Sequence, residues 1–299
     1  MALWHVPFSR EGPGLLLRDL RKEQASLVAL ADAIRTADAD IVVLTKFDYD
    51  AQALALTALR DLVGDGHHHV RALPSNSGLP TWHDLDGDGR LGEPEDMHAY
   101  GLFPGQGALA ILSRFPIVDH EMASFNALLW KDFADTHVTP IDVGWEDRRL
   151  SSGGHWVVPV QVTDGMRLDL LIGHAGAPVF DGPEDRNGRR NLDELRLWSQ
   201  IIEERRDGAL VFMANTNLDP QRGDGYRDAM ETFLRDGPFQ DPLPETPTAM
   251  WDRPGPMRVS YLLPSRNMAV RQARVWPLVP DQKHRLITVD ILLRNRPSP

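Results

Sequence analysis

Residues Asp40–Asp50 read DIVVLTKFDYD. The apolar run Ile41–Leu44 is short, rich in branched side chains and bounded by charged residues, which is the signature of a strand. Asp38-Ala39-Asp40 ahead of it makes a turn. Before the turn, Gln24–Thr36 places Leu27, Leu30, Ala31 and Ile34 on one helical face. The stretch therefore reads as amphipathic helix, turn, strand.

The same pattern recurs outward in both directions. Leu109–Leu112, Trp156–Val162, Arg167–Ile172, Ala209–Met213, Val259–Leu263 and Ile287–Leu292 read as strands, and Met1–Trp4 runs into another at the start. A second surface helix is expected over Asn191–Arg205, with Leu192, Leu195, Trp198, Ile201 and Ile202 on its apolar face and Asn191 as N-cap. Strands alternating with helices indicate an α/β protein. The 299 residues fit one large sandwich or two small domains, and no linker divides them, so one domain over residues 1–299 is expected.

Hydrophobic residues make up 42% and charged residues 25%, enough for a sizeable core. A net charge of -11 argues against nucleic acid as a partner, because affinity for a phosphate backbone comes from many Lys and Arg. Cysteine is absent, which excludes disulfides, thiolate metal sites and a cysteine nucleophile. No run of about 18 apolar residues offers a membrane-spanning helix. No charged segment followed by an apolar one opens the chain, so the expectation is either an exported protein without its leader or a cytoplasmic one. A monomer is expected.

Two connections are long and polar, Pro74–Gln106 and Pro178–Arg190, and loops of that length usually carry function. Within the first, Asp84-Leu85-Asp86-Gly87-Asp88-Gly89-Arg90-Leu91-Gly92-Glu93-Pro94-Glu95 has the spacing of a calcium loop. Asp84, Asp86 and Asp88 would supply oxygens, Arg90 a backbone carbonyl, Gly89 the sharp turn and Glu95 a bidentate closing ligand. Pro80 and Pro94 argue against flanking helices, so a bare calcium-pinned loop is expected, with the ion structural. Trp82 and His83 directly before it are candidates for a wall against a ligand. His67-His68-His69 reads as a solvated turn, and Trp130 and Trp156 as core or groove walls.

Several segments in order resemble the endonuclease/exonuclease/phosphatase (DNase I-like) superfamily, in a bacterial branch with an acidic calcium-like loop. They are Trp4-His5-Val6, DIVVLTKFDYD, FPGQGALAILSRFPI (103–117), SSGGHWVVPV (151–160), His174–Arg196 with its FDGPEDRNGRRN run, VFMANTNLDP (211–220), RVSYLLPS (258–265) and HRLITVD (284–290). The resemblance implies a four-layered α/β sandwich, two packed and mostly antiparallel β-sheets flanked by helices. It also implies a site where a divalent cation and histidines polarise a phosphoester for attack by water.

At the positions that match that site, this sequence departs from the family. The family's first Asn is His5, its metal-binding Glu is Lys46, its Asp-x-Asn turn is Asn215-Thr216-Asn217, its orienting Asp is Ser260, and its final Asp-His pair is Lys283-His284. His174 and Asn217 are retained, and Gly107 stands where an aromatic residue is usual. Exchanging two carboxylates for lysines shifts the local charge by about +4 by formal counting, and an ammonium cannot ligate a metal. The resemblance, so altered, implies no magnesium at the family site and a pocket that favours anions.

Two classes of function follow. One is a repurposed hydrolase acting on a small anionic or ester ligand, with His5, Lys46, His174, Asn215, Asn217, Ser260, Lys283 and His284 as catalytic candidates and Ser260 as a possible nucleophile type. Arg186 and Asn187 would then bind substrate at the mouth, unless Arg186, Arg189 and Arg190 are spent in surface ion pairs. The other is a binding protein on a dead phosphoesterase scaffold. A phosphoesterase with a metal shifted onto His5, His174 and His284 is the third alternative.

Overall fold

The structure is a computed structural model and describes residues 1–64 and 66–292. Its first half contains β1 (Ala2–Phe8), α1 (Leu15–Arg21), α2 (Ala25–Ala37), β2 (Ile41–Phe47), α3 (Leu54–Val63), β3 (His69–Leu73), β4 (Ala108–Ser113) and β5 (Ala123–Ser124). There follow β6 (Gly154–Thr163), β7 (Met166–His174), α4 (Arg186–Glu203), β8 (Leu210–Asn215), α5 (Arg227–Asp236), β9 (Ala249–Met250), β10 (Pro256–Met257), β11 (Ser260–Pro264), β12 (Ala269–Val275) and β13 (Ile287–Leu292).

One sheet has the order β12-β13-β1-β2-β4-β3 and the other β11-β8-β7-β6-β5; β9 and β10 form a separate ribbon. Among the described strands, only β1 with β2 and β7 with β8 pair in parallel. Successive side chains alternate across a strand, and both faces of each sheet are covered. Leu3, Val43 and Ile111 of the first sheet meet Val158, Leu170, Met213 and Leu262 of the second. Their neighbours Trp4, Val42 and Leu44 face the other way, onto Leu20, Leu30, Ile34 and Leu59 of α1 to α3. Leu171, Phe212 and Tyr261 likewise pack on Trp198 and Ile202 of α4 and Phe233 of α5. Helices, sheet, sheet and helices make four layers, as expected. Burial on both faces is why these strands read as unbroken apolar runs; truncating an inner residue such as Leu170 to Ala would cost about 2–5 kcal/mol.

Two expectations need correction. Helix α4 begins at Arg186, so Asn191 is not its N-cap. Buried Asn191 instead donates from Nδ2 to the carbonyls of Gly176 and Thr216, joining α4 to the ends of the strands. The first turn, Arg186–Arg190, is polar and gave no apolar period to read. His67 is not solvated either: it is buried, with Nε2 2.8 Å from the Ala39 carbonyl.

Candidate active site

The two sheets bring the ends of β1, β2, β7, β8 and β11 together. His5 pairs with Thr45, after which the register slips so that Phe8 meets Phe47. On its other side β2 pairs Thr45 with Leu109 and Phe47 with Ala108 of β4, so Lys46, at φ 71, is the extra residue of a bulge there. A bulge with a left-handed residue turns one side chain out of the pleat; Thr45 and Phe47 are buried while Lys46 is exposed. Buried Asp48 fixes the geometry by accepting the amides of Arg10 at 2.8 Å and Gly107 at 2.9 Å. Gly107, at φ 59, lies under the Lys46 stem, and a Cβ there would come to 3.4 Å from Lys46 Cγ.

Beside the bulge stand three imidazoles. The His5 ring centroid is 4.8 Å from that of His174 and 4.3 Å from that of His284, and Trp251 meets His284 edge-on at 5.2 Å. His5 Nδ1 is 2.8 Å from Thr45 Oγ1. Nδ1 of both His174 and His284 is buried without a partner. Burial pushes His174 down to about 3, with Lys46 the next cause, and burial then Lys46 push His284 down to about 4. His5 is lowered well below its ordinary value by burial and then by His284. All three rings are therefore neutral at pH 7. Gly153 carries no side chain because a Cβ there would overlap the His174 ring.

The remaining candidates form a polar relay behind the rings. Ser260 Oγ donates to Asn215 Oδ1 at 3.0 Å, Asn215 Nδ2 to Asn217 Oδ1 at 2.9 Å, and Asn217 Nδ2 to the Ala175 carbonyl at 2.8 Å. Ser260 is only 2% exposed, and no histidine nitrogen is its partner.

A cavity of about 840 Å³ opens here, and His5, Lys46, His174 and Asn217 line it. Ser260, Asn215, His284 and Lys283 do not. Lys283 is exposed. Arg186 and Asn187 line the cavity, but Trp82 and His83 do not. Trp82 projects into solvent, and His83 pairs with Asp147 at 3.0 Å. Arg148 and Glu194 also line the cavity, and sequence reading missed them as ligand contacts; Arg190, set aside as a member of a surface ion-pair network, is buried and lines it too. Glu194 accepts the amides of Ser152 at 2.6 Å and Gly176 at 2.8 Å, and burial raises it to about 7.

The acidic loop lies at one rim. Asp84, Asp86 and Asp88 each offer an oxygen within 4.8 Å of the others, the one such metal-capable group among the described residues; the three histidines do not form one. Asp84 already accepts the amides of Gly87, Asp88 and Gly89 at 2.7, 3.1 and 2.8 Å. Glu95 stands outside that group and lines the cavity instead. Its neighbour Asp96, buried, closes the loop by accepting the amides of Leu85, Gly92 and Glu93 at 2.8, 2.9 and 3.3 Å. Arg90 is exposed and pairs with Glu93 at 3.3 Å. Only a short 3-10 turn, Pro94–Asp96, follows the acidic run, so no helix pair flanks it.

The sequence signature of the Endonuclease/Exonuclease/phosphatase family matches residues 12–285, and the chain belongs to that family. Among curated proteins none matches the sequence. Solved structures similar to it include an endonuclease/exonuclease/phosphatase from Beutenbergia cavernae, 16% identical with a TM-score of 0.65, covering 98% of this chain and 70% of the other. The mannosyl-6-phosphatase of Bacteroides thetaiotaomicron has a TM-score of 0.54 at 13% identity, covering 98% of both chains. Beta toxin from Staphylococcus aureus, solved with bound magnesium ions, has a TM-score of 0.57 at 12% identity, covering 96% of this chain and 97% of that one. Identities this low carry the fold and no more.

Proposed function

We propose that this chain is a divergent member of its family whose cavity receives a small anionic ligand, and that metal-dependent phosphoester hydrolysis is not its activity. The observation that carries this reading is Lys46, held on the bulge with its charge reaching the rings of His5, His174 and His284. A divalent cation needs anionic oxygens or converging imidazole nitrogens. The residues here do not fit one: the charge of an ammonium reaches the rings, and the histidine nitrogens do not converge. An ammonium is suited to phosphate or carboxylate. The phosphatase among the similar structures makes a phosphate-bearing small molecule the ligand class to test first.

Binding is favoured over turnover by two features. Ser260, the candidate nucleophile, is sealed behind Asn215 and away from the cavity. A general base works best with a pKa near the working pH, and His174 at about 3 is a poor one. One observation favours hydrolysis as the second reading: Glu194 lines the cavity at about 7, well matched to proton transfer. We also propose that the loop 84–95 takes calcium as a structural ion, through Asp84, Asp86 and Asp88.

The test is a panel of phosphomonoester, phosphodiester and carboxylester substrates, each with chelator or added magnesium, manganese or zinc, run beside calorimetry with inorganic phosphate. Phosphate binding weakened in Lys46→Met, without turnover, is the expected result. Chelator-resistant turnover lost in Glu194→Gln selects the second reading. Turnover stimulated by magnesium overturns the proposal.

A further inference from the structure

Lys46 is not the cavity's principal store of positive charge. Arg148, Arg186 and Arg190 line it too, and Arg148 and Arg190 are 5% and 4% exposed. Arg190 is engaged through Nε, which donates to the Leu150 carbonyl at 2.9 Å, and Nη2, which donates to those of Arg149 at 2.7 Å and Ser151 at 3.2 Å. It thereby braces the backbone that follows Arg148. The Arg148 side chain has no such engagement, for its Nε and Nη1 are buried without a hydrogen-bond partner. Arg186 donates from Nη1 to the Leu85 carbonyl at 2.9 Å, but its Nε is also buried and unpartnered.

The nearby carboxylates are committed elsewhere. Asp142 is held by Arg189 at 2.7 Å and by the Thr139 amide at 2.8 Å. Glu194 is held by the Ser152 and Gly176 amides. Asp86 and Glu95 also line the cavity, but both are exposed, where water screens them. A guanidinium taken out of water costs heavily unless its charge and donors are matched. In the free protein Asp142 and Glu194 act on Arg148 only through space, without an ion pair, and its Nε and Nη1 have no acceptor.

We infer that Arg148, Arg186 and the Arg190-braced backbone between them form a second oxyanion subsite, so that the cavity takes a ligand bearing two anionic groups, one here and one at Lys46. This inference rests on the reading of the cavity as an anion receptor. Planar guanidinium forks suit a phosphoryl or carboxylate group, donating two parallel N–H bonds to its oxygens. The reach is that of a small molecule. Arg148 lies five residues from Gly153, against which the His174 ring packs, and five residues span at most about 18 Å even when extended.

The experiment compares inorganic phosphate with pyrophosphate by calorimetry and thermal melts, in the full chain and in Arg148→Met, Arg186→Met and Lys46→Met. Pyrophosphate should bind the full chain at least about tenfold more tightly than phosphate, and Arg148→Met and Arg186→Met should each remove about tenfold. Without ligand, Arg148→Met should melt at the same temperature or higher, since it removes an unmatched buried charge. Arg186→Met, at a half-buried position, keeps the test open should Arg148→Met fail to fold. Binding weakened by Lys46→Met but untouched by both arginine variants overturns the second subsite and leaves the first reading standing. No binding of either anion by the full chain overturns both.

Discussion

The imidazoles of His5 and His284 lie 4.3 Å apart, centroid to centroid, and neither is charged at neutral pH. Burial strips them of solvent, and Lys46 makes each proton still harder to add. An anion that neutralised Lys46 would reverse that second effect and raise both rings toward their ordinary range.

Ligand binding should therefore take up protons. Because the bound form holds more protons than the free form, affinity must rise as pH falls from 7 toward 5. Phosphate titrations in buffers of different ionisation enthalpy will read the uptake directly. An affinity that is flat over that range, after correction for the ionisation of phosphate itself, would remove the histidines from the binding reaction.

Stability should show the opposite trend without ligand. His98, His155 and His284 are depressed to about 4 and His174 to about 3, chiefly by burial. Depressed folded values mean that the unfolded chain binds more protons below about 6.5, so their contribution is present above that pH and lost as it falls through about 4. Glu194, raised to about 7, opposes them by favouring the folded state at lower pH. Four histidines outweigh one glutamate, and the melting temperature should drop between pH 7 and pH 4. His155→Gln should flatten the slope.

Ser260→Ala separates structure from chemistry. The hydroxyl it removes is the donor to buried Asn215, so a loss of about 1–2 kcal/mol is expected in denaturant melts. Phosphate affinity should stay within twofold of the parent (about 0.4 kcal/mol). A collapse of affinity with unchanged stability would return Ser260 to the cavity.

Gly153→Ala should do the reverse. Its methyl group would push against the His174 ring, which lines the cavity beside His5, an overpacking that costs about 1–3 kcal/mol. Weaker phosphate binding together with lower stability is the expected pair of results.

Calcium should raise the melting temperature of chelator-stripped protein, since a ligand of the folded state alone stabilises it. Asp86→Asn should abolish the rise. Asp84→Asn is the less clean variant because Asp84 also accepts three loop amides. No heat and no shift on titration would reject the ion.

The scaffold was legible because β2, β4 and β8 are buried on both faces and so spell apolar runs. Edge strand β12 was missed: Ala269–Val275 is mostly exposed or half-buried and mixes arginines with valines. Of the two lysines expected in the site, Lys46 lines the cavity and Lys283 does not. Lys283 sits in a bend just ahead of His284 and is exposed, while His284 turns toward His5. Arg148 gave no warning, lying in the polar run GWEDRRLSS, where charge ordinarily marks a surface. Its proximity to the SSGGHWVVPV segment was the one available signal.

Arg186 touches both halves of the molecule's charge. Through Leu85 it holds the acidic loop, while the same side chain lines the cavity and keeps its buried Nε unpartnered. Cation uptake on the loop and anion uptake in the cavity would then be linked functions, each altering the other's affinity by the same factor. The protein would read two ions of opposite sign through a single guanidinium.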